Sequence, residues 1–403
     1  MQSLIETYHR LLKSIDSIYQ RKFFSDFKLT NRITGVVGAR GVGKTIFLLN
    51  YLKQKYQKTD KGIYVSADNL YFSENSLIDL ADRFHKEYNG EIICIDEIHR
   101  YKNWNQELKN IYDSYPKMKI IFSGSSSLDL VKGRYDLSRR ANLKYMSGFS
   151  FREFLEVKLK KEFPVFTLKN IINDGSKISK ELSDISKLIG YLKEYYKQGY
   201  YPIFMELENY DDYKDALLGI INKTVFEDIS SFYSLKTNNL DVFRKIIYFF
   251  ATSKPGSLNV NNLSKSLGKD HTTIADYIEM LRESGLLRFL LINKQGHALI
   301  RNTEKVYLNN TNLFCAINNS IGKPIDLGQT RELFVVSHLM NAGYNVFFSK
   351  QGDIICDGYT LEIGGAGKKG KQIKEVKNSY LVKDDILISG GKQMPLYLFG
   401  FLE

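Results

Sequence analysis

A run of eight residues near the start of the chain combines glycines with a lysine and a threonine, which suits phosphate binding. It fits the pattern of glycine, four residues, then glycine, lysine and serine or threonine, known as Walker A or the P-loop. The glycines let backbone N–H groups point at an anion, Lys44 can reach the β- and γ-phosphates of ATP, and the Thr45 hydroxyl can ligate Mg²⁺. The predicted ATP-binding residues are Gly38, Ala39, Arg40, Gly41, Val42, Gly43, Lys44, Thr45 and Ile46.

The segments on either side of this run are those that the motif requires. Residues 33–37 predict a short buried strand, and residues 46–52 predict the helix that follows the loop. The N-terminus of that helix adds partial positive charge beside a bound phosphate. An ordinary glycine-rich turn is the alternative, and the flanking strand and helix argue against it.

A pair of acidic residues further along the chain supplies the second half of a nucleotide site. Residues 92–95 are apolar and predict a strand buried on both faces of a parallel sheet, and Asp96 and Glu97 follow directly. Because ligands bind at the carboxyl ends of such strands, both acids are expected beside the P-loop. Asp96, with Thr45, is the predicted Mg²⁺ ligand, and Glu97 is predicted to orient and deprotonate the attacking water. The alternative is two solvated acids at a strand end.

Serines and arginines complete the catalytic candidates, to which Lys44 also belongs. Residues 119–122 predict another buried strand, and Ser123 and Ser125 after it are placed to sense a γ-phosphate, unless they belong to a plain serine-rich turn. The basic stretch 133–140 contains Arg134 and Arg139. Either arginine can stabilise transition-state charge, within the chain or across a subunit boundary, and a solvated basic loop is the alternative.

The composition is that of a globular protein with several domains. The chain has 403 residues, 43% hydrophobic and 25% charged, and 57 Lys and Arg against 45 Asp and Glu give a formal net charge of +12. The excess favours polyanionic partners such as DNA on a basic surface, although solubility alone explains a modest excess. The three cysteines are far apart, and the six histidines lack metal-ligand spacing. Without an apolar run of membrane length, the expected location is cytoplasmic, with no membrane role.

The order of these motifs resembles a widespread prokaryotic family of AAA-type ATPases. The P-loop, the block 95–100, the serine tract 123–126, the pair 133–134 and the stretch 149–155 carry the resemblance. Members of that family have a C-terminal region that combines a winged helix with a restriction-endonuclease-like fold. The resemblance implies ATP binding and hydrolysis and a helical lid beside the nucleotide, but no particular cellular task.

The predicted fold class is α/β. A P-loop NTPase with a parallel sheet and a helical lid is followed by a winged helix and a mixed α/β nuclease-like domain. The predicted ATPase core, lid, winged helix and nuclease-like domain span residues 1–155, 156–235, 236–299 and 300–403.

The predicted winged helix does not carry the charge that DNA binding needs. Residues 271–281 occupy the position of a recognition helix, which invites a DNA-binding function. A helix that enters a groove among phosphates should be basic, whereas this segment is acidic. Between residues 270 and 283, Arg282 stands against Asp270, Asp276, Glu279 and Glu283. Packing against protein is therefore preferred to DNA recognition for this helix.

The last hundred or so residues resemble the PD-(D/E)xK nuclease core, in which three carboxylates and a lysine build a metal site. Glu332, Asp353 and Glu362 match the carboxylates, but the position two after Glu362 is Gly364 rather than lysine. Lys368 or Lys369 is a candidate substitute, although ordering the intervening glycine-rich loop would cost entropy. A degenerate site is the preferred interpretation.

The sequence thus predicts an AAA-type ATPase that binds ATP and Mg²⁺ and uses them to drive or gate rearrangement of its C-terminal domains. Two alternatives remain: a nucleic-acid-binding module that uses ATP as a structural switch, and an ATP-regulated DNA nuclease. A homo-oligomer or a protein partner is compatible with all three.

Overall fold

The structure is a computed structural model that describes residues 1–15, 19–57, 59–124, 137, 140–233, 235, 237–254, 259–292 and 303–403. By the density of their internal contacts these residues form two compact units, 1–148 and 149–403. Among the described helices, none is both long and apolar enough to cross a lipid bilayer.

The first unit contains one parallel five-stranded sheet with helices between its strands. Its strands are β1 (Ile33–Val37), β2 (Gly62–Ser66), β3 (Ile92–Asp96), β4 (Lys119–Gly124) and β5 (Ala141–Tyr145). Its helices are α1 (Gln2–Ser14), α2 (Lys22–Asp26), α3 (Lys44–Tyr56), α4 (Leu77–Tyr88) and α5 (Trp104–Ser114), with short 3₁₀ turns at Leu70–Ser73 and Ile98–Arg100. The strands predicted at residues 33–37, 92–95 and 119–122 correspond to β1, β3 and β4, and the helix predicted at residues 46–52 lies within α3. The sequence did not predict β5.

The sheet is buried because its central strands are apolar on both faces. Every residue of β1 and β3 is buried, as expected for parallel strands covered by helices on both sides. All neighbouring strands pair in parallel, in the spatial order β2-β3-β4-β1-β5. The carboxyl ends of all five strands therefore lie along one edge of the sheet.

The second unit joins a helical half to a mixed sheet. Its helices are α6 (Phe151–Leu159), α7 (Leu168–Ser183), α8 (Leu188–Lys197), α9 (Tyr210–Lys223), α10 (Ser230–Tyr233), α11 (Thr237–Thr252), α12 (Val260–Leu267), α13 (His271–Glu283), α14 (Thr311–Ser320) and α15 (Leu327–Asn341), with a π-helical segment at Thr224–Ile229 and 3₁₀ turns at Pro202–Met205, Lys371–Ile373 and Leu396–Phe401. Its strands are β6 (Leu287–Ile292), β7 (Thr303–Leu308), β8 (Val346–Phe348), β9 (Ile354–Cys356), β10 (Tyr359–Gly364), β11 (Ser379–Lys383) and β12 (Gln393–Pro395).

One sheet connects the predicted winged helix to the predicted nuclease-like part. Helices α11, α12 and α13 are followed by the antiparallel pair β6 and β7, the element order expected for a winged helix. β6 also pairs in parallel with β8, so all seven strands form one sheet in the order β12-β11-β10-β9-β8-β6-β7. The predicted boundary at residues 299/300 falls between the two paired strands β6 and β7.

The hairpin between β9 and β10 follows the turn chemistry of its sequence. Asp357 and Gly358 separate two strands that pair antiparallel, and both residues have positive φ, 48° and 78°. Asp-Gly is favoured at such two-residue turns because both positions need this backbone conformation. The turn sets the register in which Thr360 of β10 lies opposite Ile355 of β9.

Candidate nucleotide-binding site

The strand order brings the predicted phosphate and metal residues to one place. β4 lies between β1, which leads into the P-loop, and β3, which ends at Asp96. Ser123 on β4 pairs in register with Val36 of β1. Since all three strands run in parallel, the P-loop, Asp96 and Ser123 meet at their carboxyl ends, where α/β sheets bind ligands.

The P-loop backbone adopts a conformation that requires its glycines. Gly41 and Gly43 have φ of 85° and 101°, values that other residues rarely adopt. Gly38 is packed so closely that a Cβ there would lie 2.1 Å from the Met146 carbonyl oxygen. The end of β5 thus presses against the start of the loop, and Gly43 leads directly into α3.

Lys44 is buried against the loop that it belongs to. It is 5% exposed, and its ammonium donates hydrogen bonds to the carbonyl oxygens of Gly38 at 2.9 Å and Ala39 at 3.1 Å. Both acceptors are neutral carbonyls, which a phosphate oxygen can replace as the stronger, charged acceptor. The ammonium is therefore already held at the loop that would enclose the phosphates.

The Asp96 carboxylate is at the centre of the polar contacts. It is 3% exposed. Its Oδ2 accepts from the Thr45 hydroxyl at 2.5 Å and the Tyr64 hydroxyl at 2.9 Å, while its Oδ1 accepts from the Ser123 hydroxyl and, at 3.1 Å, from the Glu97 backbone N–H. The two predicted Mg²⁺ ligands, Thr45 and Asp96, are thus in direct contact, and the predicted sensor Ser123 holds the other carboxylate oxygen.

Glu97 occupies a constrained position beside Asp96. Its φ and ψ of 50° and 44° lie in the left-handed region, which is uncommon for a residue with a side chain. Its backbone N–H also donates to the Ser123 hydroxyl at 3.2 Å. Its carboxylate Oε2 is buried, makes no hydrogen bond within the described part of the chain, and lies 3.3 Å from Nε2 of His99.

Three residues that sequence reasoning gave no role also shape the site. Tyr64 donates to Asp96, and burial together with that carboxylate raises the pKa of Tyr64, so the phenol stays a donor. Arg21, 4% exposed, donates to the carbonyls of Val42 at 3.2 Å and of Ser147 and Gly148 at 2.9 Å each, which ties the P-loop to the segment after β5. The third residue is His99, which contacts Glu97. Of the three, only His99 could have been suggested by the sequence, because it lies two residues after Glu97.

The remaining catalytic candidates of the first unit lie outside the described residues. These are Ser125, Arg134 and Arg139, whose roles stay predictions. The neighbouring Arg140 is described, and its guanidinium forms an ion pair with Asp113 at 3.3 Å.

The predicted nuclease carboxylates are each engaged by a different partner. Glu332 accepts from the ammonium of Lys305 at 2.5 Å and from the Tyr307 hydroxyl at 2.6 Å. Asp353 accepts from the Ile363 backbone N–H at 2.6 Å. Across the described part of the chain, no group of three or more His, Cys, Asp and Glu side chains is placed to hold a metal ion.

Lys368, one of the candidate substitutes for the missing lysine, contacts the strand carboxylate Glu362. Its ammonium is 3.3 Å from Oε1 of Glu362, and its stem covers Gly364, where a Cβ would be 2.8 Å from the Lys368 Cβ, Cγ and Cδ atoms. The glycine-rich sequence of the intervening loop predicts an entropic cost for ordering it. In the structure, hydrogen bonds from Lys368 N–H to the Gly365 carbonyl at 3.0 Å and from Asp384 N–H to the Gly364 carbonyl at 2.9 Å hold it.

The predicted recognition helix α13 shows little that suits phosphate contact. Its apolar face, including Ile274 and Leu281, is buried. Arg282 pairs with Glu279, and the Thr273 hydroxyl donates to the Asp270 carboxylate at 2.6 Å. Arg282 and the Thr273 hydroxyl are thus already bound to carboxylates of the same segment.

Comparisons with known proteins assign part of the chain. Residues 30–155 match a family model described as an AAA domain. Over these residues the chain is similar to P-loop domains of the AAA type, which supports ATP binding. Residues 189–323 match a domain of unknown function, DUF8612, which assigns neither a winged helix nor a nuclease.

The relatives found extend over most of the chain. The uncharacterized protein MJ1637 of Methanocaldococcus jannaschii is 25% identical over 388 residues, 88% of this chain and 81% of the relative. The uncharacterized protein MJ1544 of the same organism is 24% identical over 339 residues, 80% of this chain and 70% of the relative.

Two solved structures show distant similarity. The Aeropyrum pernix ORC1 protein in complex with DNA aligns over 78% of this chain and 91% of its own, at 15% identity and a TM-score of 0.31. AMPPCP-bound DnaA from Aquifex aeolicus aligns over 69% of this chain and 87% of its own, at 16% identity and a TM-score of 0.28. Similarity at this level assigns no function to the present chain.

Proposed function

We propose that this protein is a Mg²⁺-dependent ATPase whose site lies at the carboxyl ends of β1, β3 and β4. The observation that carries the proposal is the direct contact of the Thr45 hydroxyl with the Asp96 carboxylate, at 2.5 Å, beside the P-loop. A hydroxyl and a carboxylate are hard oxygen ligands of the kind that Mg²⁺ prefers. The AAA-domain match over residues 30–155 supports the same assignment.

The P-loop residues, together with Asp96, would bind the phosphates of ATP and Mg²⁺. The loop amides from Gly41 to Thr45 and the start of α3 would bind phosphate oxygens. Lys44 would leave the Gly38 and Ala39 carbonyls for the β- and γ-phosphates. Thr45 and Asp96 would hold Mg²⁺, which would neutralise negative charge on the phosphates.

Glu97 is proposed as the residue that orients water and accepts its proton. It follows Asp96 directly, and its side chain is 24% exposed, so one end of the carboxylate can reach solvent while Oε2 stays buried. Ser123, which contacts both Asp96 and the Glu97 backbone, is the proposed sensor that links γ-phosphate occupancy to the position of these acids. Arg134 or Arg139 would stabilise the negative charge that develops in the transition state.

The proposal includes coupling of the ATP cycle to the second unit, residues 149–403. ATP binding would change the arrangement of that unit and hydrolysis would reset it. Hydrogen exchange of peptides from this unit tests the coupling: ATP should change their protection in the Glu97→Gln variant and not in the Lys44→Ala variant.

Two variants test the core of the proposal. Lys44→Ala should abolish tight ATP binding, because it removes the cation that faces the phosphates. Glu97→Gln should retain binding and lose most turnover, because only the water-orienting step is removed. Equilibrium ATP binding and phosphate release are measured on the same preparations.

Duplex and single-stranded DNA at two salt concentrations extend the assay to the alternative of a nucleic-acid-binding module. Salt-sensitive stimulation by DNA would favour that alternative. Equal turnover in wild type and Glu97→Gln would contradict the role given to Glu97.

A further inference from the structure

A pocket in the second unit has no part in the proposed ATPase site. It encloses about 550 Å³ between α8, α14, the start of α15 and the residues after β11. Pockets of roughly 300–1,000 Å³ are the usual size for small-molecule sites.

A buried hydroxyl in the wall of this pocket lacks the partner that it needs. Tyr196 is 4% exposed, and its hydroxyl finds no hydrogen-bond partner among the described residues. Burial raises the pKa of Tyr196, and the Asp384 and Asp385 charges raise it further, so the group is a proton donor. Leaving such a donor buried and unpaired costs about 1–3 kcal/mol, which an acceptor atom of a ligand would recover.

The carboxylates of the pocket are already neutralised by its own cations. Arg331 pairs with Asp384 at 2.9 Å, and Lys193 pairs with Asp385 at 2.8 Å. A positively charged ligand would therefore meet no spare carboxylate in this pair of acids.

Two lysines of the pocket remain available. Lys197 and Lys323 are exposed, and neither forms an ion pair within the described residues. Two ammonium groups without carboxylate partners favour an anion, and each can donate to its oxygens.

One side of the pocket is apolar, although Asn319 and Thr330 add polar groups elsewhere in its lining. Pro324, Ile325 and Leu327 border the pocket, and Leu327 is 55% exposed. Contact with an apolar ligand body would bury the apolar surface of these side chains and so favour binding.

We propose that this pocket binds an organic anion with an apolar body, such as a carboxylate or a phosphate ester. The oxygens of the anion contact Lys197 and Lys323, an acceptor oxygen of the ligand takes the Tyr196 hydrogen bond, and the body packs on Ile325 and Leu327. The site is independent of the P-loop, so ligand binding here does not require ATPase activity.

The probe is 8-anilinonaphthalene-1-sulfonate, an anion with an apolar body, titrated into the full chain by fluorescence and calorimetry. Tyr196→Phe removes one oxygen and keeps the ring, so the fold should be as stable as wild type or more so, while probe affinity falls about 5- to 10-fold. The double variant Lys197→Gln, Lys323→Gln should weaken binding at least as much and flatten its salt dependence. Lys161→Gln with Lys187→Gln, which changes two lysines of a different cleft in the same unit, is the matched control and should leave affinity unchanged.

Competitors identify the head group. Octanoate tests the carboxylate, phenyl phosphate tests the phosphate ester, and inorganic phosphate controls for binding without an apolar body. Displacement by either organic anion but not by inorganic phosphate supports the proposal and names the class. Equal probe affinity in wild type, Tyr196→Phe and the double lysine variant, or displacement by neither organic anion, would overturn it.

Discussion

His99 Nε2 lies 3.3 Å from Oε2 of Glu97, and the His99 side chain is 3% exposed. The buried imidazole is therefore in contact with one oxygen of the proposed catalytic carboxylate. The backbone of Glu97 is in the left-handed conformation. Both this conformation and the contact with His99 therefore restrict the orientation of the Glu97 side chain. From this contact we infer that His99 positions Glu97, a hypothesis that the next prediction tests.

Removal of His99 should lower catalysis more than binding. We expect His99→Ala to reduce kcat by about tenfold or more, a part of what a positioned general base contributes, with little change in ATP Kd. His99→Gln should recover part of the loss, because its amide can still contact Glu97. His85→Ala, at an exposed histidine of α4, is the control. A fall in binding equal to the fall in kcat would instead assign His99 to general support of the loop.

The contact between Thr45 and Asp96 makes a prediction about Mg²⁺. Thr45→Ala should raise the Mg²⁺ concentration for half-maximal turnover by at least about tenfold, since one ligand is lost. Thr45→Ser keeps the hydroxyl and should behave like wild type. Turnover is measured over a Mg²⁺ titration at saturating ATP. An identical Mg²⁺ dependence in Thr45→Ala and Thr45→Ser would remove Thr45 from the metal site.

His338 should make the stability of the second unit depend on pH. It is buried in α15, its Nδ1 contacts the Phe334 carbonyl at 2.8 Å, and its Nε2 accepts from the Phe151 N–H at 3.2 Å. Burial lowers the pKa of His338 from 6.5 to about 4. Between pH 4 and 6.5 the unfolded chain binds more protons at this histidine than the folded chain does. The contribution of neutral His338 to the free energy of unfolding is therefore complete above pH 6.5, and about 3 kcal/mol of it is lost as the pH falls toward 4.

Thermal unfolding followed by circular dichroism between pH 4.5 and 7.5 measures this dependence. His338→Gln should flatten the fall in midpoint on the acid side, whatever its effect at pH 7.5. His271→Gln replaces an exposed histidine at the start of α13 and should retain the wild-type profile. A His338→Gln profile parallel to wild type would show that His338 is not the group responsible.

The nuclease-like part should not cleave DNA. The Glu362 carboxylate is 3.3 Å from the Lys368 ammonium, while Glu332 and Asp353 are held by other partners. We expect no cleavage of plasmid or single-stranded DNA with Mg²⁺ or Mn²⁺, with or without ATP, because hydrolysis needs these groups to converge on one phosphate. Cleavage that disappears in Glu362→Ala and Lys368→Ala but persists in Lys369→Ala would reverse this conclusion and identify Lys368 as the active lysine.

Local signals in the sequence were enough to predict the strands and the helix around the candidate nucleotide-binding site. The glycines and Lys44 of the P-loop lie within a few positions of one another, and so do the apolar residues before Asp96. Their backbone preferences and periodicity can therefore be recognised without the rest of the chain. The same holds for α3 and for β1, β3 and β4.

The contacts that connect distant segments were decided only by the tertiary structure. Tyr64 reaches Asp96 across 32 positions, Thr45 reaches it across 51, and Arg21 holds carbonyls up to 127 positions away. The sequence showed neither β5 beside β1 nor the shared sheet of β6 and β8, because strand pairing depends on which distant apolar surfaces bury each other. The position of Lys368 over Gly364 could not be predicted either. It depends on the conformation of a glycine-rich loop, and the sequence of that loop indicates only that it is flexible.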